Sequence, residues 1–186
     1  SKDLRFYISG PAMAGRSQYD RSELECLRTK YCGQNQEDGL VVSVFDCAPQ
    51  VPSWAPRTFT RVTGPYTVDF CCTFLEDVYR LFREQDISVI YKPKRVWGSE
   101  KHPCPARTQA VLDQVEGDPR WTTMRANVNP CIPVLLSDIV VALPFISICM
   151  AAESQGIPFV YHNAKRSVEH HGNQHYESRI SHSYEE

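Results

Sequence analysis

The chain has 186 residues, of which 42% are hydrophobic and 23% charged. A chain of that length buries about two thirds of the surface its unfolded form exposes, which excludes a disulfide-dependent miniprotein, and the composition excludes intrinsic disorder. With 20 Lys and Arg against 22 Asp and Glu the net charge is -2, so no basic nucleic-acid footprint covers the surface and anion binding has to be local.

Residues 1–39 open with Phe6-Tyr7-Ile8 and a Gly/Pro/Ala turn region. A charged stretch from Ser22 to Lys30 follows, in which Ser22 and Glu25 fit a capping box. The segment is too short for a domain of its own and reads as an N-terminal extension. Leu40 to Phe45 is a continuous apolar and β-branched run, the signature of a strand buried on both faces. After a Pro-, Thr- and Arg-rich loop, residues 68–85 carry apolar side chains at 68, 71, 72, 75, 78, 79 and 82, the spacing of an amphipathic helix. The remaining elements expected are a strand at 88–91, a helix at 106–115, a strand at 121–126, a helical turn at 132–136, a strand at 139–143, a helix at 147–155 with Gly156 at its C-cap, and a strand at 158–161. Residues 164–186 form a polar segment without strong periodicity.

Strands of four to six residues with a helix in each crossover require right-handed connections and a parallel sheet. The expectation is one α/β domain over residues 40–163, a Rossmann-like parallel sheet with helices on both faces. Ligands of such sheets bind at the carboxyl ends of the strands. The loops to search are 46–66, 92–105, 126–131 and 144–147.

Lys92, Lys94, Arg95, Lys101 and Arg107 face a single acid, Glu100, between residues 92 and 107, a local excess of positive charge in an acidic chain. Such a loop suits a phosphorylated ligand, because Arg grips phosphate bidentately and Lys supplies a point charge. Ser147 stands where a buried strand turns through Pro144 into a helix, a position for an N-cap hydroxyl beside unpaired amides. His102 in the basic loop is a candidate general acid or phosphate contact, and Asp46 at the end of the first strand is a candidate base or a loop cap. His171 and His175 have i, i+4 spacing, but no Cys or carboxylate completes a zinc set. The eight cysteines include no C-x-x-C and several lie in apolar runs, as reduced thiols do. Fingerprints of dinucleotide binding, P-loop hydrolysis and serine-elbow hydrolases are missing, and no D-x-D is present to hold a metal on a diphosphate. A metal-independent phosphate site is what these residues support. No apolar run approaches the ~20 residues of a membrane span and no signal peptide opens the chain, so a cytoplasmic protein is expected.

Val41 to Asp46 (VVSVFD), Phe74 to Val78, Tyr91-Lys92-Pro93-Lys94-Arg95, and Ser137-Asp138-Ile-Val-Val-Ala-Leu-Pro-Phe-Ile-Ser147 followed by Gly156-Ile-Pro-Phe-Val-Tyr161 resemble the C-terminal half of bacterial capsule and O-antigen glycosyltransferases of the GT-B fold, among them the Kdo transferases. The resemblance covers residues 40–163. It implies one half of a GT-B fold, a donor domain in which Lys92, Lys94, Arg95 and Ser147 hold the donor phosphate of a nucleotide-sugar substrate, with no cofactor and no metal. Members often have a second hydroxyl where this chain has Ile146, and the ribose-binding glutamate of many relatives would fall at Ala151. A CMP-activated sugar of the CMP-Kdo type is therefore favoured, its base and ribose read by the loop containing Asn127, Asn129 and Ile132. The acceptor glycan would bind a second, N-terminal domain that residues 1–39 are too short to supply, making them a remnant or extension, while 164–186 would be a truncated tail. The full-length protein would work at the inner face of the membrane, associated peripherally. A nucleotide-sugar epimerase of the same fold and a non-catalytic nucleotide- or protein-binding module are the alternatives.

Overall fold

The computed structural model describes residues 19–32, 39–47, 67–98, 103–144, 146–164 and 179–181. Its frame is a six-stranded sheet of β1 (Leu40–Phe45), β2 (Ile87–Lys92), β3 (Trp121–Thr123), β4 (Ile139–Ala142), β5 (Phe159–His162) and β6 (Ile180–Ser181). Every pairing is parallel and the spatial order is β3-β2-β1-β4-β5-β6. This is a doubly wound strand order, with two three-strand halves that meet between β1 and β4. The α/β class, the parallel sheet and the Rossmann-like organisation expected from the strand and helix alternation are all present.

Helices α2 (Val68–Glu84) and α3 (Ala106–Val115) cover one face, and α1 (Arg21–Cys32), α4 (Cys131–Leu136) and α5 (Ile148–Ser154) the other. The alternation along β1 assigns the faces: Val42 and Val44 pack with Phe70, Phe74, Leu75, Val78 and Phe82 of α2. Val41 packs with Leu136 and with Leu24, Leu27 and Tyr31 of α1. Phe45 packs with Ile148 and Cys149 of α5. The 3.6-residue spacing of α2 thus becomes one buried stripe, and Thr67 starts the helix by accepting from the Phe70 N–H through Oγ1 at 3.2 Å.

Of the residues before 39, α1 lies against the sheet, and the Thr122 hydroxyl donates to Tyr31 O. Its cap is not Ser22 and Glu25. Asp20 Oδ1 accepts from the Glu23 N–H at 2.8 Å and Glu23 Oε2 from the Asp20 N–H at 2.9 Å, so the reciprocal box sits two residues earlier. The third strand is shorter than the expected 121–126. After Thr123 the chain turns away, Met124 donates its N–H to Tyr91 O at 2.8 Å, and its side chain is buried beneath α1.

Helix α5 stops in a Schellman motif, with Ile157 N–H on Ala152 O (2.9 Å), Gly156 N–H on Glu153 O (3.1 Å), and Gly156 at φ +73°. That left-handed backbone is why a glycine follows this helix. The C-terminal segment also holds a strand that its polarity hid: β6 pairs with β5, and Arg179 fixes it through Glu153 at 3.0 Å and the Phe159 ring at 4.6 Å.

Candidate functional site

The carboxyl edge between β1 and β4 is the topological switch point, where crossovers leave to opposite faces, the usual ligand position in sheets of this kind. Leu143 N–H donates to Phe45 O at 3.3 Å, so the chain leaves β4 beside the end of β1.

Asp46 is the centre of a buried network. Its Oδ2 accepts from the Tyr91 hydroxyl at 2.6 Å and its Oδ1 from the Lys94 N–H at 2.6 Å, while Trp97 Nε1 donates to the Tyr91 oxygen at 3.0 Å. Burial raises the Asp46 carboxyl to about 6, against the lowering pull of Tyr91, the Lys94 amide and the charges of Lys92 and Lys94. Burial and the neighbouring carboxylate push the Tyr91 hydroxyl well above its ordinary value, which keeps it a donor. The network folds the Pro93–Gly98 segment back onto the sheet, so among the described residues the loop that Asp46 holds is the one after β2 and not the one that follows its own strand.

The basic residues separate into two groups. Lys92 is buried; its Nζ donates to Ala126 O at 2.8 Å and Pro93 O at 3.2 Å, and burial lowers its pKa while Asp46 pulls the other way. It ties the end of β2 to the loop after β3. Lys94 and Arg95 are exposed at the edge. Arg107 leaves the basic loop altogether: it donates to Asp69 at 2.6 Å, to Thr73 at 3.2 Å and to both Glu76 oxygens, and these acids raise its pKa. The positive charge counted along 92–107 is therefore partly neutralised by α2. His102 lies outside the described residues, as do Lys101, His171 and His175.

Ser147 is exposed and does not cap α5 with its side chain, because its backbone is already helical (φ -64°, ψ -15°) whereas a capping residue needs an extended conformation. The chain enters α5 instead through tight turns, Ile146 N–H to Leu143 O and Met150 N–H to Ser147 O. The hydroxyl is left available to a ligand.

The loop after β3 passes the end of β2 at Ala126 and delivers α4 under β1, where the Ser43 hydroxyl donates to Pro133 O at 2.7 Å. Asn127 is exposed on that crossing. Asn129 Oδ1 accepts from the Cys131 N–H at 3.0 Å, and Ile132 packs into the core with Met124 and Leu136, so these two side chains serve the loop and the core. A cavity of about 360 Å³ lies elsewhere, lined by Gln109, Asp113, Glu116, Trp121 and Thr123.

Two groupings escaped sequence reasoning. Cys47 and Cys71 bring their sulfurs to 3.9 Å in the core behind Asp46, and that contact, then burial, keeps the Cys71 thiol protonated. No disulfide forms among the described cysteines. Asp77, His162 and Ser181 form a hydrogen-bonded line at the far side of the same edge. Their separations in the chain, 85 and 19 residues, leave no local signal. Among the described residues no group of three or more His, Cys, Asp or Glu is placed to hold a metal. None of the described helices is long and apolar enough to cross a membrane.

A family model described as polysaccharide biosynthesis PFTS motif protein matches residues 25–186. In the sequence, Pro144-Phe145-Ile146-Ser147 shares three of its four residues with the letters P-F-T-S of that description, with Ile146 in third place. No curated protein and no solved structure matches the chain.

Proposed function

The chain belongs to the polysaccharide biosynthesis PFTS motif family, and from that premise we propose that it is the donor-binding half of a glycosyltransferase that takes a nucleotide-activated sugar without a metal. What supports the reading is that the P-F-I-S run at 144–147, three of its four residues shared with the family's description, follows β4 at the β1/β4 switch point, where sheets of this order commonly take a nucleotide. In this reading Lys94, Arg95 and the uncommitted Ser147 hydroxyl hold the donor phosphate and stabilise it as it leaves. Lys92 and Asp46 act behind them, fixing the ends of the flanking loops. The Asn127 crossing supplies main-chain groups to the base.

A donor with one phosphate needs fewer cations than a diphosphate, and the described edge offers two exposed basic side chains, which favours CMP and a Kdo-like sugar. The acceptor glycan then binds a further domain, in the cytoplasm at the membrane's inner face. Calorimetric titration of CMP, UMP, UDP and GDP into the chain, with EDTA present, tests this. CMP should bind at least ~10-fold more tightly than UMP, about 1.4 kcal/mol, and more tightly than either diphosphate. A preference for UDP or GDP removes the Kdo-like donor, and binding of none of the four removes the donor-domain reading.

A further inference from the structure

Three side chains from three elements form a single line away from the basic edge. Asp77, in α2, places Oδ2 2.9 Å from His162 Nε2, and His162, the last residue of β5, places Nδ1 2.6 Å from Ser181 Oγ in β6. A carboxylate only accepts, so Asp77 holds the proton on Nε2; Nδ1 of the neutral ring is then the acceptor for the Ser181 O–H. Nucleophile, base and orienting acid are thus linked in the order that activates a hydroxyl.

The surroundings hold the line in place. His162 is buried with the Phe74 ring 6.0 Å away and tilted 39°. Ser181 pairs in register with His162, its main-chain oxygen accepts from the Asn163 N–H at 2.8 Å, and Arg179 anchors the strand. Asp77 and His162 are the shielded members, whereas Ser181 is half-buried on the terminal strand of the sheet. Ser181 is thus the least buried of the three residues.

We propose that Ser181 is a nucleophile for acyl transfer, with His162 as its base and Asp77 as the positioning residue. The substrate class is a carboxylic ester, an O-acylated sugar being the form in keeping with the family. Ser181 Oγ attacks the carbonyl carbon as its proton passes to His162 Nδ1. The ester C–O bond then breaks, and the departing alkoxide takes that proton and leaves as an alcohol. Water, deprotonated by the same nitrogen, releases the acyl group as a carboxylic acid and restores the serine.

Labelling the full chain with a fluorophosphonate tests the assignment, since Oγ–P bond formation with loss of fluoride requires an activated serine. One adduct should form at Ser181 in the folded chain and none in urea. Ser181→Ala should abolish it while remaining folded, as read by circular dichroism, and Asp77→Asn should slow labelling at least tenfold by releasing the ring's orientation. The folded chain should also release one equivalent of p-nitrophenol from p-nitrophenyl acetate in a burst that Ser181→Ala lacks. No adduct on the folded parent chain, or labelling that Ser181→Ala leaves unchanged, overturns the proposal.

Discussion

The buried Asp46 carboxylate should leave a measurable imprint on stability as a function of pH. Its pKa is raised from 3.8 to about 6 in the folded chain, so the folded state holds the proton more tightly than the unfolded state. The contribution is fully present below the unfolded value and is lost as pH rises towards and through the folded one. A shift of that size corresponds to about 3 kcal/mol at 1.36 kcal/mol per unit, of which roughly 2 kcal/mol is lost between about pH 4.5 and pH 7. Asp46→Asn removes the titration and keeps an oxygen for the Lys94 N–H. Urea denaturation of both proteins at the two pH values isolates the term, since the other carboxylates cancel in the double difference. The variant should gain about 2 kcal/mol on the parent in going from the lower to the higher pH. Curves that stay parallel within about 0.5 kcal/mol, the usual scatter of additive sites, would refute the buried, charged Asp46. The native carboxylate is tolerated at that cost because its charged form is the stronger acceptor for the Lys94 amide.

Replacing Lys94 or Arg95 with Ala should weaken nucleotide binding by ~1.5–3 kcal/mol, the value of a charge-assisted hydrogen bond, with the melting temperature unchanged; unchanged affinity in calorimetry would remove them from the site. Lys92→Met should behave oppositely, lowering stability by roughly 1–3 kcal/mol because Ala126 O loses its buried donor. Urea titration reads that loss, and a variant as stable as the parent would mean that Ala126 O finds another donor.

The sheet was legible because its strands are continuous apolar runs and its helices repeat at 3.6 residues; α2 and α3 come within a residue of their expected bounds. What stayed hidden depends on partners remote in sequence. Lys92 reads as one more cation in a basic loop, and only the approach of Ala126 turns it inward. Arg107 reads the same way until α2 brings Asp69 and Glu76 to it. Ser22 and Asp20 both satisfy the local capping rule, each with a Glu three residues on, and nothing within the motif chooses between them. Ser147 fits an N-cap by position, yet its conformation is decided by how the chain turns out of β4. Two residues of β6 carry no period to detect.

The central position of β1 also sets a clock on synthesis. Its β2 partner begins at Ile87, but its other edge waits for Ile139, 97 residues after Val42. At roughly 5–20 residues per second that edge stays open for about 5–20 s, with α4 and α5 not yet made to cover the face they share. The strand left waiting, LVVSVF, has no charge and no proline, the composition that recruits a neighbouring chain most readily. Nascent chains halted between β3 and β4 should therefore self-associate, and the yield of folded protein should depend on how quickly ribosomes pass that interval.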